Sequence, residues 1–180
     1  MSPGSLARLR ALVPPPAQPF EPADPARWPD VEQALGTRLP ADYKAFVETY
    51  GSGLFDGFLY VFNPFSADED GNLLDQRHTM LGAYEWRRRQ APAELPLPPF
   101  PEPGGLLPLG RTQNGDQLHW LTEGEPDRWP VVVFPARVNE HERYDLGVVD
   151  FLVRLLGGEL GRGTFPADFL AEQPHEFEPG

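Results

Sequence analysis

Few residues of this chain are of the types that carry out nucleophilic catalysis. The sequence has no cysteine, so thiolate chemistry is excluded. Ser52 stands in Gly51-Ser52-Gly53, but it lacks the strand-turn-helix context of a nucleophile elbow. Glycine and serine are ordinary turn residues, and we interpret this tripeptide as a turn. The sequence therefore predicts a protein that is not an enzyme and has no catalytic residue.

The histidines do not form a recognisable metal site. No two of them have the i, i+4 spacing with which a helix presents a pair of zinc ligands. His141 lies near Glu142 and Asp145, but one histidine beside two carboxylates falls short of the four ligands of structural zinc. We therefore predict no metal and no other cofactor. A stoichiometric metal ion in the purified protein would contradict this prediction.

The densest acidic cluster consists of Asp68, Glu69 and Asp70. The segment 66–73 around it has oxygen-bearing side chains at its first, third and fifth positions and glycine at its sixth, as in part of a calcium loop. The twelfth position is Arg77, however, where a calcium loop needs a bidentate glutamate. We interpret the segment as an acidic surface turn that caps a helix beginning at Leu73.

The chain is strongly acidic, with a formal net charge of −12 over 180 residues. Nucleic-acid-binding domains carry basic patches, whereas the one basic cluster here, Arg87-Arg88-Arg89, is predicted to end a helix. Direct binding to nucleic acid is therefore not expected. The charge favours association with a basic protein partner, and the alternative is that it serves solubility alone.

The sequence also bears on the cellular compartment. No apolar run approaches the ~20 residues that span a bilayer. The first residues lack the apolar stretch and the cleavage pattern of a signal peptide. Because the chain has no cysteine, it has no disulfide framework. These observations predict a cytoplasmic protein that does not bind membranes.

Prolines divide the chain. Seven prolines lie from Pro14 to Pro29, and six of the twelve residues from Pro92 to Pro103 are proline. Because proline fits neither a helix interior nor a central strand, both stretches are predicted to be extended coil. We divide the chain into a proline-rich N-terminal arm (1–26), a single domain (27–163) and a C-terminal tail (164–180), whose residues 172–180 are expected to fray.

Apolar residues at helical spacing predict four helices. They cover 28–35, ending at Gly36; 40–50, ending at Gly51; 73–89, capped by Asn72; and 146–156, capped by Asp145 and ended by Gly157-Gly158. In the third of these, His78 is expected to face the core together with Leu74, Met80, Leu81 and Tyr84.

Branched and aromatic runs predict four strands, at 58–62, 106–111, 117–121 and 130–134. Asn114-Gly115 is a strong hairpin signal between the second and the third. Strands in the middle with helices around them indicate an α+β fold with a mostly antiparallel sheet flanked by helices. His119 is expected on a sheet face. Trp120 and Trp129 are expected near hairpin ends, partly exposed, where tryptophan can contact a partner.

The segment from Trp28 to Gly53 resembles the opening of the SUKH superfamily. The resemblance continues to about residue 157. It is carried by Trp28, Val31-Glu32, Leu35-Gly36, Leu39-Pro40, Asp42-Tyr43-Lys44-Ala45-Phe46 and Tyr50-Gly51-Ser52-Gly53, followed by Leu107-Pro108-Leu109-Gly110, Asn114-Gly115-Asp116, Trp120, Val131-Val133 and Phe151-Leu152. The proline-rich arm and the loop at 92–103 depart from the compact pattern of that superfamily.

The resemblance implies a twisted sheet flanked by helices and a function in binding rather than catalysis. The superfamily includes fungal cell-wall-assembly regulators and bacterial immunity proteins of polymorphic toxin systems, which bind a toxin domain, often a nuclease. The predicted partner is therefore a cognate toxin with a basic surface, because an acidic surface complements a site that attracts phosphates.

The residues predicted to contact the partner are Asp68, Glu69, Asp70, Trp120 and Trp129. The alternative function is a general protein-interaction or scaffold module in a non-toxin assembly. The sequence leaves the oligomeric state open.

Overall fold

A computed structural model describes residues 4–136, 140–160, 163–171 and 174–180. The helices in these ranges are α1 Ser5–Leu12, α2 Trp28–Leu35, α3 Ala41–Tyr50, α4 Leu73–Gln90, α5 Val148–Leu156 and α6 Ala167–Ala171. The strands are β1 Gly53–Phe55, β2 Leu59–Val61, β3 Leu106–Thr112, β4 Gln117–Leu121, β5 Val131–Phe134, β6 Glu142–Tyr144 and β7 Phe177–Pro179.

The strands form one sheet in the order β6-β5-β4-β3-β2-β1-β7, and every neighbouring pair is antiparallel. The predicted α+β class with an antiparallel sheet is thereby confirmed. β2, β3, β4 and β5 correspond to the four predicted strands. β1, β6 and β7 were not predicted, because none of these three-residue strands lies within a longer run of branched and aromatic residues, as β2 does.

Both faces of the central strands are covered. In β5, Val131 and Val133 belong to the main hydrophobic core, whereas Val132 between them belongs to a second cluster. The second cluster also contains Tyr84 of α4 and Leu95 of the proline loop. Successive strand residues point to opposite faces, so Tyr84 and Leu95 cover the face of β5 that is turned away from the main core.

The first three predicted helices are confirmed as α2, α3 and α4. Gly36 ends α2 with φ of 78°, the left-handed conformation that glycine adopts without strain. Asn72 caps α4, since its side chain accepts a hydrogen bond of 2.8 Å from the N–H of Leu74. His78, expected to face the core, is instead exposed on α4.

The cap predicted for the last of these helices is wrong. α5 begins at Val148, and Asp145 pairs with Arg143 instead, 2.8 Å from its Nε. The carboxylate at the start of α5 is that of Asp42, whose Oδ2 accepts a hydrogen bond of 3.2 Å from the N–H of Val149. A pattern read along the chain finds local caps, and this one comes from the distant helix α3.

The two ends of the described chain are more ordered than predicted. Residues of the N-terminal arm form α1, which packs on α5 and places Leu9 in the core with no exposed surface. In the C-terminal tail, β7 pairs with β1, so the expectation that residues 172–180 fray is wrong where the structure describes them. Edge-to-face packing of Phe177 against Tyr50 and Phe55 accounts for the attachment of β7.

The helices differ in how much of their surface is buried. α5 is the most strongly amphipathic helix, with seven buried residues facing the sheet and the other helices. α4 is the longest, at 18 residues, and is mostly exposed and polar. In the ranges that the structure describes, no helix combines the length and the apolar character needed to cross a bilayer.

Candidate partner-binding site

The acidic segment forms a compact turn before α4, as predicted. The side chains of Asp68, Glu69 and Asp70 are all exposed. The carboxylate of Asp68 accepts a hydrogen bond of 3.1 Å from the N–H of Asp70. Asn72 donates from its side chain to the carbonyl of Ser66 at 2.7 Å. These bonds fix the turn, so its carboxylates project from an ordered backbone. We call residues 66–72 the acidic turn.

Glu21, from the N-terminal arm, anchors the acidic turn to the domain. Its Oε1 accepts from the N–H of Ala67 at 2.7 Å, and its Oε2 accepts from the hydroxyl of Ser52 at 2.8 Å. Its carbonyl accepts from the side chain of Asn63 at 2.9 Å. Burial opposes the charge of Glu21, but the bonds from Ala67 and Ser52 outweigh it and lower the pKa of this carboxyl.

Backbone strain accompanies this anchor. Glu21 has φ of 49°, which side chains with a Cβ rarely adopt. The preceding residue, Phe20, is held by a bond of 2.8 Å from the N–H of Ser52 to its carbonyl. Gly51 has φ of 70°, and a Cβ there would overlap the Phe20 carbonyl. The glycine at 51 thus lets the arm reach the acidic turn.

A cavity of about 240 Å³ lies between the arm, the acidic turn and the sheet. Its wall includes carboxylates, aromatic rings and polar groups of β3. We call it the turn cavity, and it is lined by Phe20, Glu21, Leu54, Phe58, Tyr60, Ser66, Asp68, Asp70, Gly71, Arg111, Thr112, Gln113 and Gly180. Asp68 and Asp70 line it, whereas Glu69 of the same turn does not.

Tyr60 is a half-buried ring in the wall of the turn cavity, close to Ser52 and Ser66. Burial raises the pKa of Tyr60, and the negative charges of Glu21 and Asp68 raise it further. The phenol therefore stays neutral at physiological pH. Gly71 faces the hydroxyl, since a Cβ at that position would lie 2.5 Å from it. The absence of a side chain at Gly71 leaves room for the Tyr60 ring.

The carboxylates around the turn cavity are not neutralised by salt bridges. Across the described ranges, no lysine, arginine or histidine nitrogen lies within 4.0 Å of a carboxylate oxygen of Glu21, Asp68 or Asp70. Arg111 also lines the cavity, and it likewise forms no such pair. Three carboxylates against one guanidinium give the lining a net negative charge.

Trp120 and Trp129 are not at the surface, so the expectation of partial exposure is wrong. Trp120 has no exposed surface and packs edge-on against Tyr43, with 4.9 Å between ring centroids. Trp129 is 3% exposed and lies against Trp120. Both rings fill the core beneath α3. The structure thus separates the two tryptophans from the three acidic residues with which they were grouped.

Two of the histidines, His119 and His175, are buried inside the fold. His119 is on a sheet face, as predicted, with no exposed surface, and burial lowers its pKa to about 3. His175 is also buried, and its ring nitrogens face Asp56 Oδ2 at 2.6 Å and the carbonyl of Leu156 at 2.8 Å. Within the described part of the chain, no three histidine or acidic residues are grouped so that they could hold a metal ion.

Sequence reasoning found the acidic turn but not the cavity beside it. Phe20 and Glu21 lie in the proline-rich arm, which was predicted to be extended coil. No sequence pattern in the arm predicted that it packs against the domain. Tyr60 was assigned to a strand, correctly, but its partners are distant in sequence. The one available hint was the apolar Phe20 within a polar, proline-rich segment.

The comparisons with known proteins give one match. The family model SUKH_6, described as SMI1-KNR4 cell-wall, matches residues 26–152, which is most of the chain and includes the acidic turn. No curated protein and no solved structure matches the chain.

Proposed function

Because the chain belongs to the SUKH superfamily, in the family described as SMI1-KNR4 cell-wall, we propose that it is a protein-binding domain without catalytic activity. Its partner is a toxin domain of a bacterial polymorphic toxin system, which it binds and neutralises in the cytoplasm. The observation that carries this proposal is the acidic turn, where Asp68, Glu69 and Asp70 are exposed and unpaired among the described residues.

Electrostatics supports a basic partner. The net charge of −12 attracts a basic surface over distances of about a Debye length, roughly 8 Å at physiological salt. A nuclease toxin presents such a surface, because its site must attract phosphates. Carboxylates that are fixed before binding lose little conformational freedom in the complex. The acidic turn meets this requirement through the bonds from Ala67 and Asn72.

The proposal is tested by co-expressing the chain with toxin domains encoded beside it. The expected results are protection of the host cell and a stable complex on gel filtration. The triple variant Asp68→Asn, Glu69→Gln, Asp70→Asn should weaken the complex and slow its association, with the larger effect at low salt. The absence of both protection and a complex, with every neighbouring toxin tested, would contradict the proposal.

A matched control removes the same charge from other exposed positions. Asp30, Glu85 and Glu140 are exposed and do not line the turn cavity. The triple variant Asp30→Asn, Glu85→Gln, Glu140→Gln should bind the toxin nearly as the native protein does. Equal weakening by both triple variants would mean that net charge, and not the acidic turn, governs binding.

The alternative is a scaffold module that binds a partner in a non-toxin assembly, which the cell-wall description of the family favours. Gene neighbourhood distinguishes the two functions. A complex with a neighbouring non-toxin protein, without protection against any toxin, would support the scaffold function and reject the immunity function.

A further inference from the structure

We propose that the turn cavity binds the guanidinium group of an arginine side chain presented by the partner protein. This inference rests on the proposed function, since it names the chemical group through which the partner is recognised. It is carried by two different kinds of lining group in one cavity: unpaired carboxylates and aromatic rings.

The carboxylates supply the charge. Asp68 and Asp70 are exposed, line the cavity, and have no ion-pair partner in the described ranges. A guanidinium presents its N–H groups in a planar fork that matches a carboxylate with two hydrogen bonds. The lining can therefore accept a cation without displacing an existing partner.

The aromatic rings supply the second contact. Phe20, Phe58 and Tyr60 line the same cavity. Phe20 is 50% exposed and is one of two large apolar side chains exposed in the described part of the chain. The exposed part of the Phe20 ring is therefore accessible to a group that enters the cavity. A guanidinium stacks on such rings through cation–π attraction and is less strongly hydrated than an ammonium, so arginine suits this wall better than lysine.

The position of these groups is fixed before binding. Glu21 bonds the arm to Ala67 of the acidic turn, and the adjacent Phe20 lies in the wall of the same cavity as Tyr60. Strained residues persist where the surrounding structure holds them, and they concentrate at ligand sites. Arg111 lies in the lining as well, but the three carboxylates outweigh its charge.

The first test uses small probes and the intact chain. N-acetyl-arginine methylamide is titrated into the native protein, with the citrulline and lysine analogues as matched probes. Citrulline keeps the shape of arginine but carries no charge. The expected result is a saturable change in the backbone amide resonances of Tyr60, Gly71 and Thr112 with arginine, a weaker change with lysine, and none with citrulline. No saturable change with arginine, or an equal change with citrulline, would overturn the inference.

The second test compares the three neighbouring charges of the acidic turn. Asp68→Asn and Asp70→Asn should each weaken arginine binding by about 3- to 5-fold, as expected for a part-exposed ion pair. Glu69→Gln removes the same charge from the same turn, outside the cavity lining, and should change binding by less than about 2-fold. Equal effects at all three positions would contradict a defined pocket.

The third test uses a variant that blocks the cavity and leaves the carboxylates unchanged. Gln113 is exposed and lines the cavity, so Gln113→Trp should fill it without disturbing the core. This variant should abolish arginine binding and weaken the toxin complex. A toxin complex unaffected by Gln113→Trp, with no arginine binding, would reject the pocket and leave the proposed function standing. Saturable arginine binding without any toxin complex would reject the proposed function alone.

Discussion

The carboxylate of Asp42 caps α5 from a position 107 residues earlier in the chain, where its Oδ2 accepts the N–H of Val149 at 3.2 Å. Its Oδ1 accepts the N–H of Tyr43 at 2.8 Å. One buried side chain therefore joins the starts of α3 and α5. Gly147 leaves space for it, because a Cβ there would lie 2.6 Å from Oδ2.

Asp42→Ala should lower the free energy of unfolding by about 1–2 kcal/mol, because two helix N–H groups lose their acceptor. Urea denaturation at pH 7 measures this. Asp30→Ala, at an exposed position in the first turn of α2, is the control and should cost less than about 1 kcal/mol. Equal losses at both positions would contradict the capping role.

The effect of Asp42 should depend on pH. Burial raises the pKa of Asp42 in the folded protein, although the bonds from Val149 and Tyr43 oppose the rise. Between the unfolded pKa of about 4 and the raised folded value, the folded state binds more protons than the unfolded state. The native protein therefore loses stability as pH rises through that window. The cost of Asp42→Ala should be smaller at pH 7 than near pH 4, and the opposite order would contradict the raised pKa.

His119 should make the fold sensitive to acid. Its folded pKa of about 3 lies below its unfolded value of about 6.5, so the unfolded state binds the proton first as pH falls. The native protein should lose about 2 kcal/mol of unfolding free energy between pH 7 and pH 5 through this residue. The variant His119→Phe should not show this loss, even if its unfolding free energy at pH 7 differs from that of the native protein. If the unfolding free energies of the two proteins changed equally between pH 7 and pH 5, a neutral buried histidine would be ruled out.

The pair His175 and Asp56 should hold β7 in place. Both side chains are buried, with 0% and 2% exposure, and His175 also bonds the carbonyl of Leu156. His175→Ala should cost about 3 kcal/mol of unfolding free energy, because it removes a buried partner of both Asp56 and the Leu156 carbonyl.

The readout for this pair is a double-mutant cycle in urea with hydrogen exchange at Glu178, which lies opposite Leu54 of β1. The double variant with Asp56→Asn should cost less than the sum of the single variants, and the Glu178 amide should exchange faster in His175→Ala. His78→Ala, at an exposed position, is the control and should stay within about 0.5 kcal/mol. Additive costs would show that the two residues act independently.

Two glycines should respond to alanine in opposite directions. Gly110 in β3 faces the backbone of Tyr60 in β2, and a Cβ would overlap its carbonyl oxygen. Gly110→Ala should lower the free energy of unfolding by at least about 1–3 kcal/mol, because the backbones of β2 and β3 are held in the sheet and cannot move apart. Gly82 in α4 has no atom within 4 Å of an added Cβ, so Gly82→Ala should gain about 0.5–1 kcal/mol. Thermal unfolding of both variants measures this, and a neutral Gly110→Ala would contradict the close approach of β2 and β3.

The sequence predicted the elements whose signals are local. The helix from Trp28 to Leu35 has a regular apolar stripe and a glycine stop, and the hairpin at Asn114-Gly115 has a characteristic turn pair. Both signals lie within a few residues of the structures that they specify. The acidic turn was found for the same reason, since Asn72 and the helix that it caps are adjacent.

What sequence reasoning missed depends on contacts between distant segments. α1 owes its position to packing on α5, and Glu21 closes the turn cavity through bonds to Ser52 and Ala67. Trp120 of β4 is buried because Tyr43, from the distant helix α3, lies against it. Neither composition nor periodicity records such pairings, which arise when the chain folds back on itself.

The position of β7 constrains how the protein is made on the ribosome. β1 and β2 emerge early in translation, but the outer edge of β1 has no partner until β7 is synthesised. A nascent chain that lacks residues 174–180 therefore exposes a strand edge and the ring of Phe55, which Phe177 otherwise contacts. Nascent chains in which β7 has not yet paired with β1 should consequently bind chaperones or aggregate more readily.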